Sequence, residues 1–219
     1  MAALVEGGPD VYWIDHVVVA VEDLDAAAIR WREGFGLDSA PGGVHPAWGT
    51  GNRIVPLGPT YVELIAVLDP TKAATTDLGR AVGEVSSAGD APLVWCVGTD
   101  DLEGTALRLG LDIGGGSRRR PDGVELRWRS TGLEAALAAP WRPFFISWDV
   151  EPDSHPGRGF VHHTVDAPGI AWLEVACEPA ALVAWLGGEA MPVRFVDGRP
   201  GLRGFGLSTA RGTIEIRSP

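Results

Sequence analysis

The chain has 219 residues, enough to bury a core in one domain or two, and its 29 acidic against 18 basic residues give a formal net charge of −11. That balance sets nucleic acid and anionic membranes aside as partners, because most of the surface repels a polyanion. Cys96 and Cys177 supply neither a disulfide framework nor a CxxC motif, Met1 to Asp10 carry acidic but no basic residues, unlike a secretory signal, and no apolar run is long enough to span a bilayer, so a reducing cytoplasm is the expected compartment.

The first predicted element is a strand from Trp13 to Val21, apolar and β-branched, which stops at Glu22-Asp23. Helical spacing of Leu24, Ala27, Ala28 and Trp31 predicts a helix that ends at Gly34 and Gly36. After the Gly/Pro-rich stretch Pro41-Gly42-Gly43 come strands at Asn52 to Leu57 and Tyr61 to Val67, separated by the turn signal Gly58-Pro59. Residues 1–68 thus read as one βαβββ module, and 69–91 as a linker with a helix over Leu78 to Val85.

The order recurs. Residues 92–149 open with a strand at Pro92 to Gly98, repeat the acidic helix start as Asp100-Asp101-Leu102, and add strands at Gly123 to Trp128 and Pro143 to Trp148. A connecting loop, 150–168, leads to a third and shorter copy over 169–219, with strands at Gly169 to Cys177, Gly204 to Thr209 and Thr213 to Ile216 around a helix from Pro179 to Leu186. Repetition on this scale predicts an α+β chain whose units bury their sheets against one another. The run Arg118-Arg119-Arg120, set between Gly114-Gly115-Gly116 and Pro121-Asp122-Gly123, reads as a solvated loop rather than an anion site.

His16 alternates with Val18 and Ala20 on one face of the first strand, leaving Asp15, Val17 and Val19 on the other, and Glu63 shares a face with Tyr61 and Ile65. An imidazole in this setting reads equally as a hydrogen-bonded core histidine or as a ligand. A carboxylate inside an apolar strand is costly unless paired, protonated or metal-bound, so if the sheet brings Glu63 to His16 each explains the other. His155, just after the Pro143 to Trp148 strand, is placed to act at a rim as base or ligand. Of His162 and His163 at most one can face a given site, and His45-Pro46 reads as a solvated turn. Cys96 and Cys177 lie in apolar strands and read as core. Trp95, Trp148 and Trp172 suit either a pocket wall or ordinary core. Walker A, GxGxxG, GxSxG and HExxH motifs are absent.

Ile14-Asp15-His16-Val17-Val18-Val19-Ala20-Val21, the helix from Asp23-Leu24 to Gly34-Phe35-Gly36-Leu37, and Tyr61-Val62-Glu63-Leu64-Ile65 together resemble the glyoxalase-like branch of the vicinal oxygen chelate superfamily. The resemblance is specific over about the first 70 residues and weaker beyond. It implies tandem βαβββ modules whose curved, mixed and antiparallel sheets pack into a cup. A divalent metal there is held by a first-strand histidine and a last-strand glutamate of each module. His16 and Glu63 match these positions in the first module. Aligning Leu24 with Leu102 puts Val94 opposite His16 and Ser147 or a neighbour opposite Glu63; in the third copy Trp172 falls opposite His16 and Glu215 opposite Glu63.

The resemblance therefore implies His16, Glu63 and Glu215 as a metal set, provided the first and third modules face each other, with Glu63, Glu215 and His155 as candidate catalytic groups. The expected protein is a metal-dependent lyase, isomerase or dioxygenase type using Zn, Ni, Mn or Fe(II) on a small oxygen-rich molecule. The alternative is a metal-free cup that binds or sequesters a small ligand through aromatic walls. An odd number of modules makes a homodimer an expectation as well.

Overall fold

The computed structural model describes residues 12–120, 123–210 and 212–218; the charge pattern of the first ten residues and the Pro121-Asp122 turn signal lie outside them. In chain order the elements are β1 (Tyr12–Ala20), α1 (Leu24–Phe35), β2 (Ala40–His45), β3 (Thr50–Leu57), β4 (Thr60–Val67), α2 (Pro70–Ala73), α3 (Asp77–Ser86), β5 (Ala91–Thr99), α4 (Leu102–Leu109), β6 (Ile113–Arg119), β7 (Glu125–Thr131), α5 (Leu133–Ala138), β8 (Phe144–Trp148), β9 (Ile170–Ala176), α6 (Pro179–Trp185), β10 (Val193–Phe195), β11 (Gly201–Thr209) and β12 (Gly212–Arg217). The two acidic turns that announce helices act as caps. Asp23 accepts from the backbone N–H groups of Asp25 and Ala26, and Asp101 from that of Gly104, satisfying donors that the first helical turn leaves open. Gly36 then ends α1 in the left-handed conformation at φ 72°, which glycine adopts without a side-chain clash.

Eight strands form one mixed sheet in the order β2-β3-β4-β1-β5-β8-β7-β6, curved into a nearly closed barrel-like cup. The β1–β4 and β5–β8 pairs are parallel, and the other pairs in this sheet are antiparallel. On the inner face Val18, Ala20, Ile65, Val94 and Phe144 cluster with Leu78 and Val82 of α3 and Ala136 of α5. The outer face carries Val17, Val19, Val62, Leu64, Trp95, Val97 and Phe145, and it is covered by α1 and by a second sheet, β10-β9-β11-β12. Leu173, Val175, Phe205 and Leu207 of that second sheet are fully buried in this outer core.

This arrangement corrects several expectations. The third group of strands packs on the back of the cup, so it does not face the first across a shared cavity. Its apolar face is covered within the chain, which removes the unpaired module as a ground for expecting a partner subunit. Two segments that read as turns are the edge strands of the large sheet: Pro41-Gly42-Gly43 lies in β2, and Gly114 to Arg119 forms β6. Proline is tolerated there because an edge strand leaves one row of N–H groups unpaired.

Tryptophans serve a packing role that alternation alone hides. Trp13, Trp128 and Trp172 each lie across the strand from a glycine, Gly98, Gly116 and Gly206, with the indole over the position a Cβ would take. Trp95 belongs to the outer core and donates from Nε1 to the Trp141 carbonyl, and Trp172 is covered by Arg194 at 3.8 Å. Of the three tryptophans that suit either a pocket wall or ordinary core, Trp148 lines the cavity, joined by Trp48 and Trp128, and Trp95 and Trp172 do not. Among the described residues no helix is long and apolar enough to cross a membrane.

Because Phe205 lies between the sheets, Phe205→Ala is expected to cost about 3 to 5 kcal/mol through lost burial and the cavity left behind. Urea unfolding should show this as an earlier midpoint of a single transition. Two separate transitions would contradict the shared core.

Candidate functional site

The cup and the open solvent at its mouth together hold about 740 Å³ of space not filled by atoms. The parallel register sets His16 beside Tyr61 and Val18 beside Glu63, so all four side chains share the inner face. The pairing of β1 with β5 slips between Ile14 and His16, leaving Asp15 without a partner across the strand. Such a bulge lets two successive side chains serve one side of a sheet. Asp15 accordingly does not join Val17 and Val19 in the outer core, as strict alternation predicts, but turns toward His16, Trp148 and His155.

Asp15 is fully buried. His16 Nδ1 donates to its Oδ1 at 2.6 Å; on Oδ2 it receives Trp148 Nε1 at 3.0 Å and His155 Nε2 at 3.1 Å. Burial pushes its carboxyl up, but hydrogen bonds from His155 and His16, aided by their charge, outweigh this and bring it to about 2. With Nδ1 committed to Asp15, His16 presents Nε2 to the cup, where Glu63 Oε2 lies 3.8 Å away. The imidazole is stacked on Tyr61, with ring centroids 4.4 Å apart, and meets Phe144 edge-on at 5.5 Å.

Glu63 is held from its other oxygen. Asn52 Nδ2 donates to Oε1 at 2.5 Å, and the Asn52 amide is itself fixed because the Gly43 backbone N–H donates to Oδ1 at 2.6 Å. Oε2 is left facing His16. His45 is not a solvated turn: it ends β2, lines the cavity, and pairs through Nδ1 with Thr50 Oγ1 at 3.2 Å. Burial pulls its proton affinity down, the charge of Glu63 raises it, and Arg118 lowers it.

The other candidates lie elsewhere. His155 accepts the Gly157 backbone N–H on Nδ1 and gives its Nε2 proton to Asp15, which makes it a support of the carboxylate rather than a group at the rim. His163 is a strap: the Asp38 backbone N–H donates to its Nδ1, and its Nε2 donates to the Pro56 carbonyl at 2.6 Å. Glu215 is on β12 of the second sheet, ion-paired with Arg217 at 2.6 Å, and does not line the cavity. The His16, Glu63 and Glu215 set is therefore not brought together.

The second half of the cup can now be aligned on the two helix caps. Val94 stands the same distance ahead of Asp101 as His16 does ahead of Asp23. Val18, the partner of Glu63, corresponds in the same way to Cys96, whose partner is Phe144. The residue opposite Glu63 is thus Phe144, not Ser147, and both Val94 and Phe144 line the cavity. At the two matched positions the first half of the cup is polar, with His16 and Glu63, and the second apolar, with Val94 and Phe144, while Arg118 and Ser130 also line the second half.

Among the described residues, Asp15, His16 and Cys96 also bring three buried donor atoms within 4.8 Å of one another. This set does not suit a cation, because both Asp15 oxygens are occupied by donors and burial, with Asp15 and Glu63 nearby, pushes the Cys96 thiol well up. His16 Nε2 and Glu63 Oε2 do suit one. They are an imidazole nitrogen and a carboxylate oxygen, and their separation is under twice the bond length of about 2.1 Å usual for such ligands. Asp15 stands behind the imidazole as the outer partner that ligating histidines need.

Residues 14–190 match the glyoxalase-like domain family. No curated protein matches the chain. Among solved structures, a hypothetical protein from Staphylococcus aureus is similar over 94% of this chain and 98% of its own, with a TM-score of 0.66 and 15% identity, and it shares the fold. Two partial similarities are to methylmalonyl-CoA epimerases. The one from Mycobacterium tuberculosis is 17% identical over 62% of this chain and 86% of its own, with a TM-score of 0.42. A variant of the Streptomyces coelicolor protein in complex with 2-nitronate-propionyl-CoA is 17% identical over 62% and 95%, with a TM-score of 0.44.

Asp15→Ala strands three donors at once, the buried His16 and the half-buried Trp148 and His155, and is expected to cost about 3 kcal/mol or more. Denaturant unfolding measures it. A cost under about 1 kcal/mol would mean that Asp15 is not the anchor of this network.

Proposed function

The chain belongs to the glyoxalase-like domain family of the vicinal oxygen chelate superfamily, and from that premise we propose that it is an enzyme whose His16 and Glu63 hold a divalent cation against a small oxygen-bearing substrate. The observation that carries this reading is the aim of the two side chains: Asp15 on Nδ1 and Asn52 on Oε1 leave His16 Nε2 and Glu63 Oε2 facing each other at 3.8 Å. Zn, Ni, Mn or Fe(II) all accept an imidazole and a carboxylate, and such a cation, when bound, supplies Lewis-acid polarisation of a substrate oxygen. His16 and Glu63 would supply only two protein ligands, so affinity for the cation alone would be modest.

The chain's own residues do the rest. Glu63 is the carboxylate of the cavity lining and sits where it can take a proton from a substrate carbon or hydroxyl. His16, clamped by Asp15 and stacked on Tyr61, cannot swing away from it. Phe144, edge-on to His16, and Val94, beside Val18 on the neighbouring strand, exclude water and receive the apolar part of the substrate. Polarisation and proton transfer fit a lyase or isomerase type; a dioxygenase type would need Fe(II) and O2 as the oxidant in addition.

A second reading, capture of a small ligand without turnover, is favoured by the same Val94 and Phe144, which replace polar groups across half the cup. Metal dependence separates the two. Protein purified without chelator or metal-affinity resin is expected to gain about 2.7 kcal/mol from a cation at a hundredfold excess over its dissociation constant. That gain corresponds to a rise of about 5 to 10 °C in the thermal midpoint. His16→Ala and Glu63→Gln should each abolish the rise. No stoichiometric metal by elemental analysis, together with an unchanged midpoint in Mn, Ni, Zn and Fe(II), would sink the metal-enzyme reading. A rise that survives His16→Ala would sink the site assignment alone.

A further inference from the structure

Several arginines on this acidic surface are neutralised by a neighbour: Arg30 holds Asp90, Arg53 holds Asp25, Arg127 holds Glu125, Arg129 holds Glu103, and Arg217 holds Glu174. Arg118 is set apart by its place in the cavity. It is half-buried on the edge strand β6 and lines the cup, and no acidic side chain among the described residues is ion-paired with it. Its side chain crosses to the opposite edge strand, β2, where a Cβ built on Gly43 would lie 3.5 Å from Arg118 Cδ and 3.9 Å from Nη1. The two sheet edges thus meet through this one cation.

We propose that Arg118 is the docking point for a carboxylate, and that the ligand of the cup is a small monocarboxylic acid with an apolar body. This rests on the cup being the small-molecule site. Three observations carry it. The first is placement: Arg118 and the His16–Glu63 pair line the same cavity, with Val94, Ile65 and Phe144 as its apolar wall. The second is charge. In a chain of net charge −11 an anion is repelled at long range, so an anionic ligand needs a local cation that no carboxylate already occupies. The third is geometry, since a planar guanidinium offers a carboxylate two parallel N–H donors, which an ammonium does not. The positive charge also reaches inside: it opposes the proton on His45 and favours the ionised form of Tyr61 against the dominant effect of burial.

The test is isothermal titration calorimetry of the full chain with hexanoate and phenylacetate, each against its uncharged amide. Both acids are expected to bind at least tenfold more tightly than hexanamide and phenylacetamide. Arg118→Met should bring the acids down to the level of the amides while leaving amide binding within about twofold, and Arg118→Lys should restore only part of the preference. Acids no tighter than amides, or an acid preference that persists in Arg118→Met, would overturn the assignment. The comparison of acid with amide in the unmodified chain decides the matter even if Arg118→Met fails to fold. Equal binding of acid and amide removes Arg118 but leaves the cup as a ligand site; no binding by any of the four compounds removes both.

Discussion

A carboxylate withdrawn from water has to be held by donors, and whatever holds it is held in turn. Asp15 imposes that constraint on this chain. Its two oxygens fasten β1 through His16, β8 through Trp148, and the loop after β8 through His155. The connection joins the two halves of the cup and fixes the imidazole whose Nε2 lies 3.8 Å from Glu63 Oε2. A single bulge does the work: without the slip between Ile14 and His16, the Asp15 side chain would point into the outer core among Val17 and Val19, where no donor awaits it.

Seen from that anchor, the asymmetry of the cup has a physical meaning. The half built from β1 to β4 carries aimed polar atoms, each with a second partner that sets its direction. The half built from β5 to β8 presents Val94 and Phe144 at the corresponding positions. A site of this kind sets a ligand's orientation by directed polar contacts and draws affinity from burial of its apolar part. The second sheet stands apart from this chemistry. It covers the outer face of the cup, which otherwise leaves a large apolar surface in water.

Much of this was legible in the sequence, for reasons that differ by residue. Apolar β-branched runs and Asp-capped helices announced β1, β4, β5, α1 and α4, and the pairing of His16 with Glu63 followed from two polar residues set in such runs. What escaped depended on tertiary context. Pro41, the glycines of β6 and Arg118 look like loop residues until the closing of the sheet makes them edges. Strict alternation puts Asp15 on the outer face, and the bulge between Ile14 and His16 breaks that alternation, although the cost of burying a carboxylate applies to Asp15 as much as to Glu63. His45 and Asn52 carried no local signal, since their roles arise from β2 and β3 packing beside β4. Glu215 shows the converse: a repeat in sequence placed it with Glu63, and the layering of the sheets separates them.

The most direct test of the Asp15 anchor is the tautomer of His16, read from long-range proton–nitrogen correlations in a uniformly labelled sample at pH 8. The anchor requires the proton on Nδ1, toward Asp15, with Nε2 unprotonated and open to the cup. A proton on Nε2 would contradict the account, because Nε2 would then be a donor that cannot ligate a cation beside Glu63.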